Sequence, residues 1–284
     1  MWQSSYDQLD CHIFYVQLFV YLSSLNIFKM YFKYSIIFFL LFNATFCLAQ
    51  RPDPDVIKTK KGDLVIQPIL HGTLVLQFDG KTIYVDPYGG AKAFANIKNP
   101  DLILITDIHG DHLNTNTLNS LNISSTVTFI VPQAVADKLP EEYHTNLKIL
   151  KNNRSLKQFG IKIKAIPMYN LPEADDAKHA KGRGNGYILT MGGKNIYISG
   201  DTEDIKEMRA LKNIDIAFIC MNLPYTMNIE QAASAVLEFK PQIVYPYHYR
   251  GKPDMSDTAQ FKNLVNTINP NIEVRLRNWY TEYE

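Results

Sequence analysis

The chain has 284 residues, 46% of them hydrophobic and 20% charged, with a formal net charge of +1. That is globular composition, enough for one large domain or two small ones. The even charge balance excludes a bulk electrostatic partnership with nucleic acid or an anionic membrane, and no aromatic residues interleave with a basic stripe.

The first fifty residues stand apart. Lys29 and Lys33 precede the apolar run from Ile36 to Phe42, and Cys47 and Ala49 are small where cleavage needs them. This reads as a secretory signal peptide cut after Ala49. The run is shorter than the ~20 residues of a spanning helix, so no stable membrane span is expected after cleavage. Phe46 stands where a lipoprotein signal would carry a small residue. Met30 is a natural start for such a signal. Residues 1–49 are therefore expected to be an N-terminal extension and signal peptide, and residues 50–284 one domain, periplasmic or secreted. Of Cys11, Cys47 and Cys220, the cut would leave Cys220 alone. No intrachain disulfide follows, and Cys220 in the apolar IDIAFIC reads as a buried, inert thiol.

In chain order, LVIQPI and TLVLQF read as strands around His71, and Asp79-Gly80 as a tight turn into TIYVD. DLILIT is a continuous apolar run, as in a strand buried on both faces. NTNTLNSL opens a helix. TVTFIVP is a strand, and PQAVADKLPEEY a helix. LKIL and IKIKAIPM are strands. GYILTMGGKNIYISGD is a second hairpin, turned at Gly192-Gly193. DIKEMRALKN is helical, IDIAFICMN a strand, IEQAASAVLEF a helix and QIVYPYHY a strand. AQFKNLVNTI closes as a helix and IEVRLRNWY as a strand. Each half puts hairpins first and strand–helix alternation after them. That pattern predicts an α/β fold of two sheets with helices outside.

Residues 50–284 hold six histidines: His71, His109, His112, His144, His179 and His248. Asp107, His109, Asp111 and His112 crowd the loop after LILIT. Asp201 ends IYISG, and His248 ends IVYPYH. Three strand ends, far apart in sequence, each deliver a ligand-type side chain, and strand ends are where α/β proteins build sites. Imidazoles with carboxylates suit a borderline divalent ion: zinc first, with manganese or iron as alternatives. Asp201 has two oxygens with which to bridge a pair of ions.

These residues resemble a known family. D-I-H-G-D-H is similar to the H-x-H-x-D-H signature of the metallo-β-lactamase fold superfamily. ISGDT resembles its bridging aspartate, and YPYHY its last metal histidine. HGTLVLQFDGKTIYVDP resembles the opening hairpin of the branch with ascorbate-6-phosphate lactonase-like and N-acyl-phosphatidylethanolamine phospholipase D-like enzymes. The resemblance spans roughly residues 62 to 275. It implies a four-layer αββα sandwich and two divalent metal ions. One ion would be held by Asp111, His112, Asp201 and His248. The other would be held by His109, Asp201 and a histidine between the halves, matched best by His179, with Asn170 where many relatives carry histidine. Asp107 departs from the family, which has histidine there. It would either ligate as a harder donor or orient a neighbouring histidine.

The implied activity is hydrolysis of a small-molecule ester, lactone or phosphodiester by a metal-bound hydroxide. Asp111 would orient the nucleophile or take its proton. His71 would contact the oxyanion or the substrate, or else support the site. Lys178, Lys181 and Arg183 read either as an anion-binding cluster or as a solvated loop. Tyr225 and Met227 are expected at the pocket rim. The alternative is a non-catalytic or mononuclear metal-binding protein of the same fold. Hydrolysis of β-lactams is not expected.

Overall fold

Asp79 and Gly80 both have positive φ, 50° and 72°. That is the backbone of a two-residue hairpin turn whose twist matches its strands. It joins β3 (Thr73–Phe78) to β4 (Lys81–Val85), pairing Leu74 with Val85 and Phe78 with Lys81. Gly192 and Gly193, at 58° and 80°, make the same turn between β10 (Gly184–Met191) and β11 (Lys194–Ile198). The computed structural model describes residues 51–281, together with Val20, Tyr21 and Lys29. The expected leader, with its cut after Ala49, otherwise lies outside the described residues. Among them no helix is long and apolar enough to cross a membrane.

Two seven-stranded sheets carry the fold. The first adds β1 (Asp55–Thr59), β2 (Gly62–Leu70), β5 (Leu102–Leu104), β6 (Thr128–Val131) and β7 (Leu147–Ile149), and its strands lie in sequence order. The second holds β8 (Ser155–Gln158), β9 (Ile161–Met168), β10, β11, β12 (Ile216–Cys220), β13 (Ile243–Tyr247) and β14 (Glu273–Val274), likewise in order. In each sheet the first four strands are antiparallel and the last three join parallel. The two halves thus repeat one topology that the residues themselves do not repeat.

The apolar patterns explain the layering. Along β3 to β5, Leu74, Leu76, Ile83, Val85, Leu102 and Leu104 enter one core with the second sheet. Their alternates Val75, Tyr84 and Ile103 enter another, beneath the helices. LILI is continuously apolar because both of its faces are covered. Tyr187 on β10, fully buried, donates to the carbonyls of Ile105 at 2.8 Å and Ile130 at 3.2 Å, which ties one sheet to the other.

Within residues 51–281 the helices are α1 (Gly90–Ala93), α2 (Thr115–Ser120), α3 (Gln133–Ala136), α4 (Lys206–Arg209), α5 (Ile229–Phe239) and α6 (Thr258–Ile268). Asn114 caps α2 by accepting from the Thr117 amide, and Asn228 with Gln231 forms a capping box on α5. The helix expected over PQAVADKLPEEY is instead α3 followed by a 3-10 turn, Glu141–Tyr143. Pro140 forces the break, since the residue before a proline avoids helical backbone. The expected last strand shrinks to Glu273–Val274, because Arg275 and Arg277 turn to Asp55 and Trp279 drops into the core. DVIKT and SLKQ, not foreseen as strands, pair at the outer edges.

Candidate metal centre

Three strand ends and one loop meet at one end of the sheets. The segment after β5 supplies Asp107, His109, Asp111 and His112. β11 is followed by Asp201, β13 by His248, and the loop from β9 to β10 brings His179. The amide of Asn185 donates to the Thr106 carbonyl at 2.9 Å, so the start of β10 is locked to the end of the β5 run. Residues from both halves are thereby held face to face.

Asp201 is the hub, 3% exposed. Its Oδ1 lies 3.3 Å from His248 Nε2. Its Oδ2 lies 3.3 Å from His112 Nε2 and 3.2 Å from His179 Nε2. Asp111 Oδ2 is 3.3 Å from His248 Nε2. His109 Nδ1 is 2.7 Å from Asp107 Oδ2, which is 3.9 Å from His179 Nε2. Asp107, His109 and His179 therefore form one metal-sized group, and Asp111, His112 and His248 another. The Nε2 atoms of His112, His179 and His248 and Oδ1 of Asp201 are buried with no hydrogen-bond partner. Buried polar atoms are normally satisfied. Several unsatisfied donor atoms aimed at a common point fit a divalent cation, and the imidazole and carboxylate chemistry fits it too.

Charge says the same. Burial pushes the Asp201 carboxyl up, but the facing His248 and His112 outweigh it and hold it well below the usual range. Burial opposes charge on His112, yet Asp201, Asp86 and Asp111 drive its pKa well above that of a free imidazole. A group that draws protons this strongly also draws cations, and metal binding releases the protons.

The supporting residues are mostly ones that sequence reasoning missed. Asp86, fully buried, accepts from His112 Nδ1 at 2.8 Å and from the amide and hydroxyl of Thr106 at 2.7 and 2.5 Å. This fixes the His112 tautomer with Nε2 free for a ligand. Asn170 does not replace His179 but serves it, with Oδ1 3.1 Å from His179 Nδ1 and accepting from its amide at 2.8 Å. We expect Asn170→Leu to lower zinc affinity by about 10–100-fold, the usual effect of losing such a partner. Competition with a colorimetric chelator measures it.

Backbone strain gathers here as well. His71, Asp86 and His248 have φ of 53°, 46° and 46°, costly for residues with a Cβ. His71-Gly72 forms the turn between β2 and β3, and the His71 carbonyl accepts from the His248 amide at 3.2 Å. A Cβ on Gly72 would sit 3.3 Å from His248 Cδ2 and 3.4 Å from His112 Cε1. Gly72→Ala is therefore expected to shift the His248 ring by a few tenths of an ångström and weaken metal binding, with little change in melting temperature. The same chelator competition, beside a thermal melt, checks this.

Some expectations are corrected. Both ring nitrogens of His71 are engaged, Nε2 by Arg250 at 2.7 Å and Nδ1 with Tyr280 at 3.0 Å. Burial, then the nearby His248 and Arg250, lower its pKa to about 4. Its ring rests against that of His248, 5.1 Å between centroids, which is the supporting placement of the two that the sequence left open. Met227 is fully buried in the inter-sheet core, not at a rim. Lys181 pairs with Glu173 at 2.7 Å, and Arg183 with Asp107 at 2.9 Å, so these two do not form an open anion cluster. His144 bonds the Leu139 carbonyl and takes no part. Cys220 is buried, and burial pushes its thiol up to about 12, as an inert thiol requires.

A family model described as "Beta-lactamase superfamily domain" matches residues 66–248. The chain belongs to that superfamily. A UPF0173 metal-dependent hydrolase of Pyrococcus abyssi is 31% identical over 195 residues, 65% of this chain and 85% of the relative. A solved structure from Parabacteroides distasonis, named as a metal-dependent hydrolase, is 39% identical with a TM-score of 0.70. It covers 79% of this chain and 98% of its own. The metallo hydrolase Igni18 of Ignicoccus hospitalis, 23% identical, shares the fold at a TM-score of 0.64, over 76% of this chain and 95% of that one. The sandwich of two mixed sheets is the metallo-β-lactamase fold, and the protein is a metal-dependent hydrolase of this superfamily.

Proposed function

We propose that the protein hydrolyses a small ester or lactone with the help of two divalent ions, zinc first, held unequally by the groups around Asp201. The observation that carries this is the set of buried, partnerless donor atoms on His112, His179, Asp201 and His248. Asp201 turns one oxygen to His248 and the other to His112 and His179, so a single carboxylate serves both groups. Bound there, divalent ions supply Lewis acidity and make water acidic enough to act as a nucleophile near neutral pH.

The chain's own residues do the rest. Asp111 is the open carboxylate of the set, its side chain 34% exposed against 0% for Asp107 and 5% for Asp201. It faces both the site and solvent, and so is placed to orient the attacking water. Burial pushes its carboxyl up, but His112 and His248 outweigh burial and hold it well below the usual carboxylate range. Asp86 and Asn170 keep the Nε2 atoms of His112 and His179 directed inward. Tyr225 flanks the loop and is held through its carbonyl, which accepts from Asn170 at 2.9 Å.

Esters and lactones come before phosphodiesters because two of the three basic residues near His179 are paired internally. A panel of nitrophenyl esters, lactones and a bis-nitrophenyl phosphate, assayed with zinc or manganese, tests the order. Turnover of the carboxylic substrates supports it. Turnover of the phosphodiester alone moves the reading to a phosphodiesterase. No turnover with any metal favours the metal-binding alternative.

A further inference from the structure

Arg183 lies in the loop that delivers His179, and its guanidinium grips Asp107 with two bonds. Nε donates to Oδ1 at 3.1 Å and Nη2 to Oδ2 at 2.9 Å. The Asp107 side chain is fully buried and that of Arg183 is 21% exposed. Nη2 also donates to the Lys178 carbonyl at 2.6 Å, which braces the guanidinium in place. We propose that Arg183 competes with a metal ion for Asp107, leaving ion binding tight at Asp111, His112, Asp201 and His248 and weak at Asp107, His109 and His179. This rests on the metal-dependent reading above and assigns Arg183 as the residue that sets the difference.

Three observations support it. A carboxylate has about four lone-pair sites. Two of these on Asp107 are filled by a bidentate guanidinium, the strongest neutral-pH partner a side chain offers. His109 Nδ1 crowds Oδ2 from another side at 2.7 Å. The unsatisfied atoms also sort the two groups: His112 Nε2, His248 Nε2 and Asp201 Oδ1 lack partners, whereas neither oxygen of Asp107 does. His179 Nε2, also partnerless, leans to Asp201 at 3.2 Å rather than to Asp107 at 3.9 Å. Finally, a fixed positive charge beside the first group repels an incoming cation directly. The family signature has a neutral histidine where Asp107 stands. Here the added negative charge is answered by an arginine within the protein.

The test is a zinc titration of the chelator-stripped full chain, read by a competing colorimetric chelator and by elemental analysis. The wild type is expected to take one zinc tightly and a second at least about tenfold more weakly. Arg183→Met should tighten the second step by about tenfold or more and leave the first unchanged. Arg183→Lys, which keeps the charge but cannot span both oxygens, should fall between. Two equal steps in the wild type overturn the proposal. So does an Arg183→Met protein whose second step weakens, since Arg183 would then be positioning Asp107 as a ligand. If Arg183→Met does not fold, the wild-type and Arg183→Lys titrations still decide. A wild type that takes neither zinc nor manganese rejects the two-ion reading on which the proposal rests.

Discussion

Asp201→Ala is expected to abolish stoichiometric metal binding and, with it, hydrolysis. Both oxygens of Asp201 face histidine nitrogens, at 3.2–3.3 Å on three sides. Its loss withdraws the one carboxylate common to both groups and leaves three imidazoles facing one another. Removal of an outer partner typically lowers metal affinity about 10–100-fold. Loss of the shared inner carboxylate should exceed about 100-fold and should not be rescued by excess metal. Elemental analysis after dialysis, beside turnover of the best substrate, measures it. A variant that keeps two ions per chain would refute the placement of Asp201 at the hub.

Asp86→Ala should act through both stability and chemistry. Asp86 is fully buried and accepts three hydrogen bonds, from His112, the Thr106 amide and the Thr106 hydroxyl. Alanine leaves those donors unpaired, and each buried unsatisfied group costs about 1–3 kcal/mol. A loss of about 3–5 kcal/mol is expected, the range found when a buried charged partner is removed. Urea unfolding reads it. Metal affinity falls as well, because the His112 ring is no longer held in its tautomer. Asp86→Asn separates the two effects. It retains one acceptor oxygen but sets an NH2 against donors, so it should recover part of the stability and less of the metal affinity.

Much of the fold is legible in the residues. Asp79-Gly80 and Gly192-Gly193 announce their hairpins, because positive φ favours such pairs. The LILI run declares a strand covered on both faces. The candidate site is legible where ligand-type side chains fall on strand ends: Asp111, His112, Asp201 and His248 could be picked out by position, and the structure brings them together. Its supports are not. Asp86 is one aspartate before a proline, and nothing local says that it will lie under His112, twenty-six positions further on. Asn170 and Arg183 acquire their roles from contacts across loops, 9 and 76 positions apart. The partners of His71 were hidden for the same reason, since Arg250 and Tyr280 meet it from the far end of the chain. Short helices such as α1 and α4 carry too few turns for a periodic pattern to show.

The repeated topology of the two sheets has a thermodynamic consequence. The first half contributes Asp107, His109, Asp111 and His112, and the second contributes His179, Asp201 and His248. The proposed ligand set is split between the halves, so an ion bound there would fasten one to the other as a clasp fastens two covers. Whatever binds only the assembled form stabilises it, by about 4 kcal/mol when free ligand exceeds its dissociation constant a thousandfold. On the two-ion reading, the supply of metal would govern how long the chain survives as well as how fast it works.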